Sequence, residues 1–159
     1  MSVQTIFDTA PLGALVRYCD GRPQPPARFK KKLAAWERNN GIGRLIRKAP
    51  EGMRPSFTSP ASITLHQGDF SRELVMVLTV QFTFSVTSSL AFDVIETPTG
   101  GSVRVLRPYG DHIELLYLAP NRRAAEIWLR STPFYGAVFE EVGVDIRDAD
   151  AELSVGGPA

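Results

Sequence analysis

Seven cations carry the clearest chemistry in this sequence: Arg28, Lys31, Lys32 and Arg38, followed at short intervals by Arg44, Arg47 and Lys48. Lys and Arg grouped in this way form the footprint that holds phosphates. The group stands out because the chain as a whole is nearly neutral, with a net charge of +1. Residues 1–54 hold eleven Lys and Arg against four Asp and Glu, while residues 55–159 hold seven against thirteen. A basic first third and an acidic remainder imply an anionic partner for the basic part or contact between the two parts. Two solvated surfaces that touch nothing are the plain alternative.

The catalytic inventory is thin. There is one cysteine, Cys19, and there are two histidines, His66 and His112. A thiolate dyad would need the fold to bring Cys19 to a histidine, and Cys19 borders an apolar run where cysteine usually serves as a small hydrophobe. His112 and Glu114 stand two apart and share one strand face, but a metal site needs a further ligand, for which only His66 or Asp69 offers itself. Glu140 and Glu141 point to opposite faces of a strand and make a poor glycosidase pair. Gly41-Ile-Gly43 follows a helix rather than opening one, and no Gly-Lys-Ser/Thr comes after it, so it is not a phosphate loop. No catalytic residue, metal or cofactor is assigned. A pocket lined by His112 and Glu114 is the remaining route to an enzyme or small-ligand binder.

The elements that must position the cations follow from periodicity. A helix over Ala27 to Asn40 places Phe29, Leu33 and Trp36 on one stripe, at i, i+4 and i+7. Arg28, Lys31 and Arg38 fall opposite, among Ala27, Ala34 and Ala35, with Lys30 and Lys32 at the sides. Glu37 is its only acid. Before it, Arg22-Pro-Gln-Pro-Pro26 reads as a stiff connector, with a polyproline ligand as the alternative. Asn39-Asn40-Gly41 is a stop signal, with Gly41 suited to a left-handed cap. Arg44 to Lys48 reads as a charged edge strand, and residues 49–60, with three prolines, read as a surface linker.

The rest of the chain supplies the sheet. Leu78, Val80, Phe82, Phe84 and Val86 alternate with Thr79, Gln81, Thr83 and Ser85, the period of a half-buried strand. The run that begins at Glu73 exceeds the usual strand length, which predicts a bend or bulge near Thr79. Strands over 62–66, 90–96, 102–107 and 112–118, joined by Gly, Ser, Asp and Pro turns, complete an antiparallel meander over 61–118. A second helix over Asn121 to Thr132 covers the last of them, with Ala124, Ala125, Ile127, Trp128 and Leu129 as its apolar arc. A short strand over 137–142 follows.

The expected class is therefore α+β: an antiparallel sheet of five or more strands covered by two amphipathic helices, about 27–40 and 121–132. One domain over 1–142 is expected, with an acidic, partly flexible tail over 143–159. Trp36, Phe82, Phe84 and Trp128 are its expected core aromatics. No window approaches the about 18 apolar residues of a membrane span. The first residues lack the pattern of a secretory signal, so the cytoplasm is the expected compartment. The functional expectation is a non-enzymatic accessory protein that binds an anionic partner, nucleic acid first, through Arg28, Lys31, Lys32, Arg38, Arg44, Arg47 and Lys48. A protein-interaction module using the same basic rim, docking an acidic protein, comes second.

Overall fold

The computed structural model describes residues 1–72, 75–110, 112–132 and 136–143, with the backbone alone for 69–72, 75–79 and 109. In chain order the elements are α1 (Val3–Thr9), β1 (Leu15–Cys19), α2 (Lys30–Asn39), β2 (Gly41–Ala49), β3 (Gly52–Arg54), β4 (Phe57–Ser59), β5 (Ser62–Arg72), β6 (Val75–Ser85), β7 (Ala91–Glu96), β8 (Val103–Tyr109), β9 (His112–Ala119), α3 (Arg122–Ser131) and β10 (Val138–Glu141). The class is mixed α/β, built on a large antiparallel sheet. The expected tail beyond residue 143 lies outside the described residues.

β2 is the strand that holds the sheet together. One of its edges pairs with β5, from Arg44↔His66 to Ala49↔Ser62. The other edge is shared: β1 takes the first half, from Tyr18↔Gly41 to Leu15↔Arg44, and β9 reaches the second half at Arg47↔Glu114. From this strand the sheet extends through β1 to β7, through β5 to β6, and through β9 to β8 and β10. β3 and β4 form a separate two-stranded hairpin where a linker was expected. A register shift between Leu45 and Arg47 lets β2 serve both neighbours.

Arg44 to Lys48 is thus an inner strand and not the edge its charges suggested. Inner strands tolerate cations when their head groups find partners, and both arginines here do. The Arg44 guanidinium donates to the Gly13 carbonyl at 2.6 Å, and Arg47 donates to the Thr64 hydroxyl at 3.2 Å. Gly41, read as a left-handed cap, instead opens β2 in extended conformation. A Cβ there would lie 2.7 Å from the Tyr18 hydroxyl, and one at Gly43 would lie 2.8 Å from the Leu65 Cβ. These two glycines let β1 and β5 close on β2 over a filled core. The Tyr18 hydroxyl beneath Gly41 accepts a hydrogen bond from the Gln67 amide. Burial pushes the Tyr18 phenol above its ordinary range, and the Gln67 contact acts the other way.

Three apolar clusters result. Under β1, β2, β5 and β7 lie Val3, Ile6, Ala10, Val16, Tyr18, Leu45, Ile63, Leu65 and Phe92, all buried. α1, which the sequence reading missed, supplies Val3 and Ile6, with Ala10 as its C-cap, and packs on β5 and β7. Its signal was present: Ser2 caps the Thr5 amide, and Val3, Ile6, Phe7 and Ala10 have helical spacing. At the other end α3 packs on β8 and β9, burying Ala125 against Val103, Val105 and Ala119. Ile46, Leu106 and Leu115 form the third cluster, between them.

Two sequence expectations need revision. The helix expected over 27–40 begins at Lys30, and it contains no buried residue. Of the two expected covering helices, only α3 covers the sheet. Trp36, Phe82, Phe84 and Trp128, expected as core, are each only half-buried. Phe84 still packs at 4.8 Å from Tyr18 and 5.3 Å from Phe92, the two fully buried rings of this group. The irregularity expected near Thr79 is present: register shifts flank it, between His66 and Gly68 and between Phe70 and Ser71 on the partner strand.

Candidate anion-binding surface

β1 and β2 are antiparallel neighbours, and a two-residue turn would suffice to join them. The chain instead spends residues 20–40 on an excursion that carries α2. Its base is fastened by side chains: the Asp20 amide donates to Asn40 Oδ1 at 3.3 Å, and Asn40 Nδ2 donates to Asp20 Oδ1 at 3.1 Å and to the Trp36 carbonyl at 2.8 Å. The Asp20 carboxylate also accepts from the Arg22 amide, and that bond, with the Asn40 amide, holds its pKa below the usual range. Trp36 Nε1 donates to the Arg22 carbonyl at 2.9 Å. The base is therefore ordered, and what it presents is the helix.

That helix is assembled against its own stability. Phe29 occupies the N-cap and supplies no side-chain hydrogen bond, and the first turn contains no acid. Lys30, Lys31 and Lys32 sit where the helix dipole is already positive, which costs rather than stabilises. Arg28, Lys30, Lys31, Lys32 and Arg38 are all exposed. Phe29 is 42% exposed and lies under two of them, 4.8 Å from the Arg28 guanidinium and 5.2 Å from Lys32 Nζ. An anion at this end would supply both the missing cap and the missing countercharge.

The other three cations of the expected group are placed differently. Arg44 and Arg47 are half-buried and spend their guanidinium groups on the Gly13 carbonyl and on Thr64. Lys48 is half-buried near α1; burial pushes its ammonium pKa down, and the charge of Asp8 pulls it back up. The fold thus brings Arg28, Lys31, Lys32 and Arg38 together on one arm and keeps Arg44, Arg47 and Lys48 within the sheet.

Arg47 belongs to a polar row that the sequence did not reveal. Register aligns Arg107 on β8, Glu114 on β9, Arg47 on β2, Thr64 on β5 and Thr83 on β6 across five strands. Arg107 reaches Glu114 at 3.3 Å, and the Thr64 and Thr83 hydroxyls share a hydrogen bond at 3.0 Å. Only strand order makes this visible, since these residues lie far apart along the chain. Glu114, considered beside His112 as a metal ligand, is half-buried and taken by Arg107. Among the described residues no three His, Cys, Asp or Glu side chains are grouped to hold an ion.

An open cleft of ≈ 510 Å³ lies between Asp20, Arg22 and Asn39 at the base of the arm and Phe84, near the end of β6, with Ser88 and Leu90 beyond it. Neither His112 nor Glu114 lines it. Cys19 is half-buried at the end of β1, paired with Ala91. Cys19→Ala is expected to leave any activity of the protein intact, and a chelator is expected to leave the melting temperature unchanged. Stoichiometric metal in the purified protein, measured by plasma emission, would overturn the second expectation.

The model of the family described as "Uncharacterised conserved protein UCP036055" matches residues 1–146. The chain belongs to that family. The matched span takes in every helix and strand described above, the α2 arm included. No curated protein and no solved structure matches the chain. Among the described residues no helix is long and apolar enough to cross a membrane.

Proposed function

We propose that this protein is a non-enzymatic cytoplasmic accessory protein that docks nucleic acid on the α2 arm. One observation carries the reading: α2 buries no residue, yet it is held in place at its base and carries four exposed cations against one acid, with exposed Arg28 just before it. A long excursion from a hairpin that adds nothing to the core is the kind of segment that carries function. Arg28, Lys31 and Arg38 are free of the half-buried Leu33 and Trp36, so they can meet phosphates without disturbing the fold. Asn39, at the helix end, lines the cleft and not the outer face. With no amide on the outer face of α2 to read base edges, sequence preference is weak.

The test is fluorescence anisotropy with a labelled duplex across a salt series. Three phosphate contacts predict a slope of log K against log[salt] near about −2.7, from about −0.9 per phosphate. Arg44, Arg47 and Lys48 add little to this slope, because they are engaged within the sheet. Changing Arg28, Lys31 and Arg38 together to Glu abolishes binding and moves the melting temperature by roughly 1–2 °C, as exposed substitutions do. If neither duplex nor single strand binds at ~50 mM salt, the nucleic-acid reading fails. The same arm would then be the docking face for an acidic protein.

A further inference from the structure

We infer that the outer edge of β6 is the dimer interface of this protein, pairing antiparallel with β6 of a second copy. Among the described residues β6 pairs with β5 alone, so along its whole length from Val75 to Ser85 one edge carries open backbone donors and acceptors. Such an edge is a template for another strand unless it is blunted by charge, proline, brevity or a bulge. β6 is bulged once, at Val77, where Phe70↔Leu78 gives way to Ser71↔Met76; Leu78 to Ser85 carries no bulge of its own. Val-Met-Val-Leu-Thr-Val-Gln-Phe-Thr-Phe-Ser contains no charged residue and no proline, and its length is about twice that of an average strand.

The upper half of the hairpin makes the need sharper. β5 leaves β2 after His66, yet its pairing with β6 continues from Gly68↔Val80 to Arg72↔Val75. Beyond Gln67 the two strands run on as a ribbon that no third strand joins among the described residues. A two-stranded ribbon is marginal in water and needs a third strand or a covering layer. Within β6 this part reads Val75-Met-Val-Leu78, the most apolar part of that strand.

A second copy is the occupant the sequence favours. Antiparallel pairing about a two-fold axis sets a segment against itself, so any charge in it meets its like. An uncharged strand escapes that penalty and can be self-complementary. Two edges are closed at once, and each ribbon gains third and fourth strands.

Sedimentation equilibrium tests the inference on the full chain. The expected species has twice the 17.5 kDa mass of the chain at micromolar concentration. Gln81 is exposed and near the middle of β6. Gln81→Lys therefore sets two ammonium groups near each other across the axis, and Gln81→Glu sets two carboxylates there. Each variant alone is expected to raise the dissociation constant at least tenfold with an unchanged circular dichroism spectrum. Mixing the two in equal amounts is expected to restore the dimer, which loss of fold would not allow. A wild-type chain that stays monomeric at about 100 µM overturns the inference, as does a dimer indifferent to both substitutions. A monomeric chain that dimerises once residues 144–159 are removed assigns the edge to the chain's own tail, and also overturns it.

Discussion

Replacing residues 22–39 with two glycines is expected to abolish nucleic-acid binding while leaving a folded protein that melts within about 5 °C of the original. The binding half of this result follows from the six exposed cations of the arm, Arg22 included, all of which are removed. The stability half follows from what the arm does not do. α2 buries no residue, and only Leu33 and Trp36 are half-covered. Their loss is offset by closing a shorter loop between Tyr18 and Gly41, a gain of about 1 kcal/mol on the logarithmic dependence of closure entropy on length. The Asp20–Asn40 contact at the base is retained. Thermal denaturation and anisotropy on the same preparation separate the two effects. A fall of more than about 10 °C, several kcal/mol for a chain of this size, would make the arm part of the fold. Retained binding would move the anion site elsewhere.

The largest loss of stability from one substitution is expected at Phe92. Its side chain is fully buried, edge-on to Phe84 at 5.3 Å and 6.3 Å from Tyr18. Phe92→Ala removes the transfer energy of the ring and leaves a cavity that Tyr18, locked under Gly41, cannot fill. The cost is about 3–5 kcal/mol, or roughly 6–20 °C in melting temperature. Phe82→Ala, which sequence alternation alone would rank as high, costs less, because Phe82 is half-exposed. Denaturant melts of the two variants give the comparison directly. A Phe92→Ala cost below about 1 kcal/mol would contradict the packing of β7 on β1 and α1.

These contrasts show which parts of the fold are written locally. The alternation of Leu78 through Val86 is a local signal, and it predicted a strand. α3 was legible to within a residue, because Asn121 caps the Ala124 amide and the apolar arc follows at once. The cations of α2 were legible too, since a solvated face is read from spacing alone. The destination of Phe29, Leu33 and Trp36 was not, because a helical stripe says nothing about whether a sheet lies beneath it. That depends on β1 and β2 being direct neighbours, which leaves α2 outside the sheet they form. Arg44 to Lys48 misled for a related reason. A charged strand is an edge unless distant groups neutralise it, and the neutralising groups are the Gly13 carbonyl, Thr64 and Asp8. None of them is a sequence neighbour of the cation it serves.

The shared edge of β2 also sets an order on synthesis. Residues 41–49 need β5 on one side and β9 on the other, and the β9 contact at Glu114 lies far downstream. β1 in turn needs β7. At about 5–20 residues per second, Leu115 is made roughly 4–14 s after Leu45. Throughout that interval Ile46 has neither Leu106 nor Leu115 to pack against. The β5–β6 hairpin, whose contacts are local, closes early in the same interval. A nascent chain therefore displays the uncharged strand Val75–Ser85 to its neighbours on the same message before the sheet that should hold it is complete.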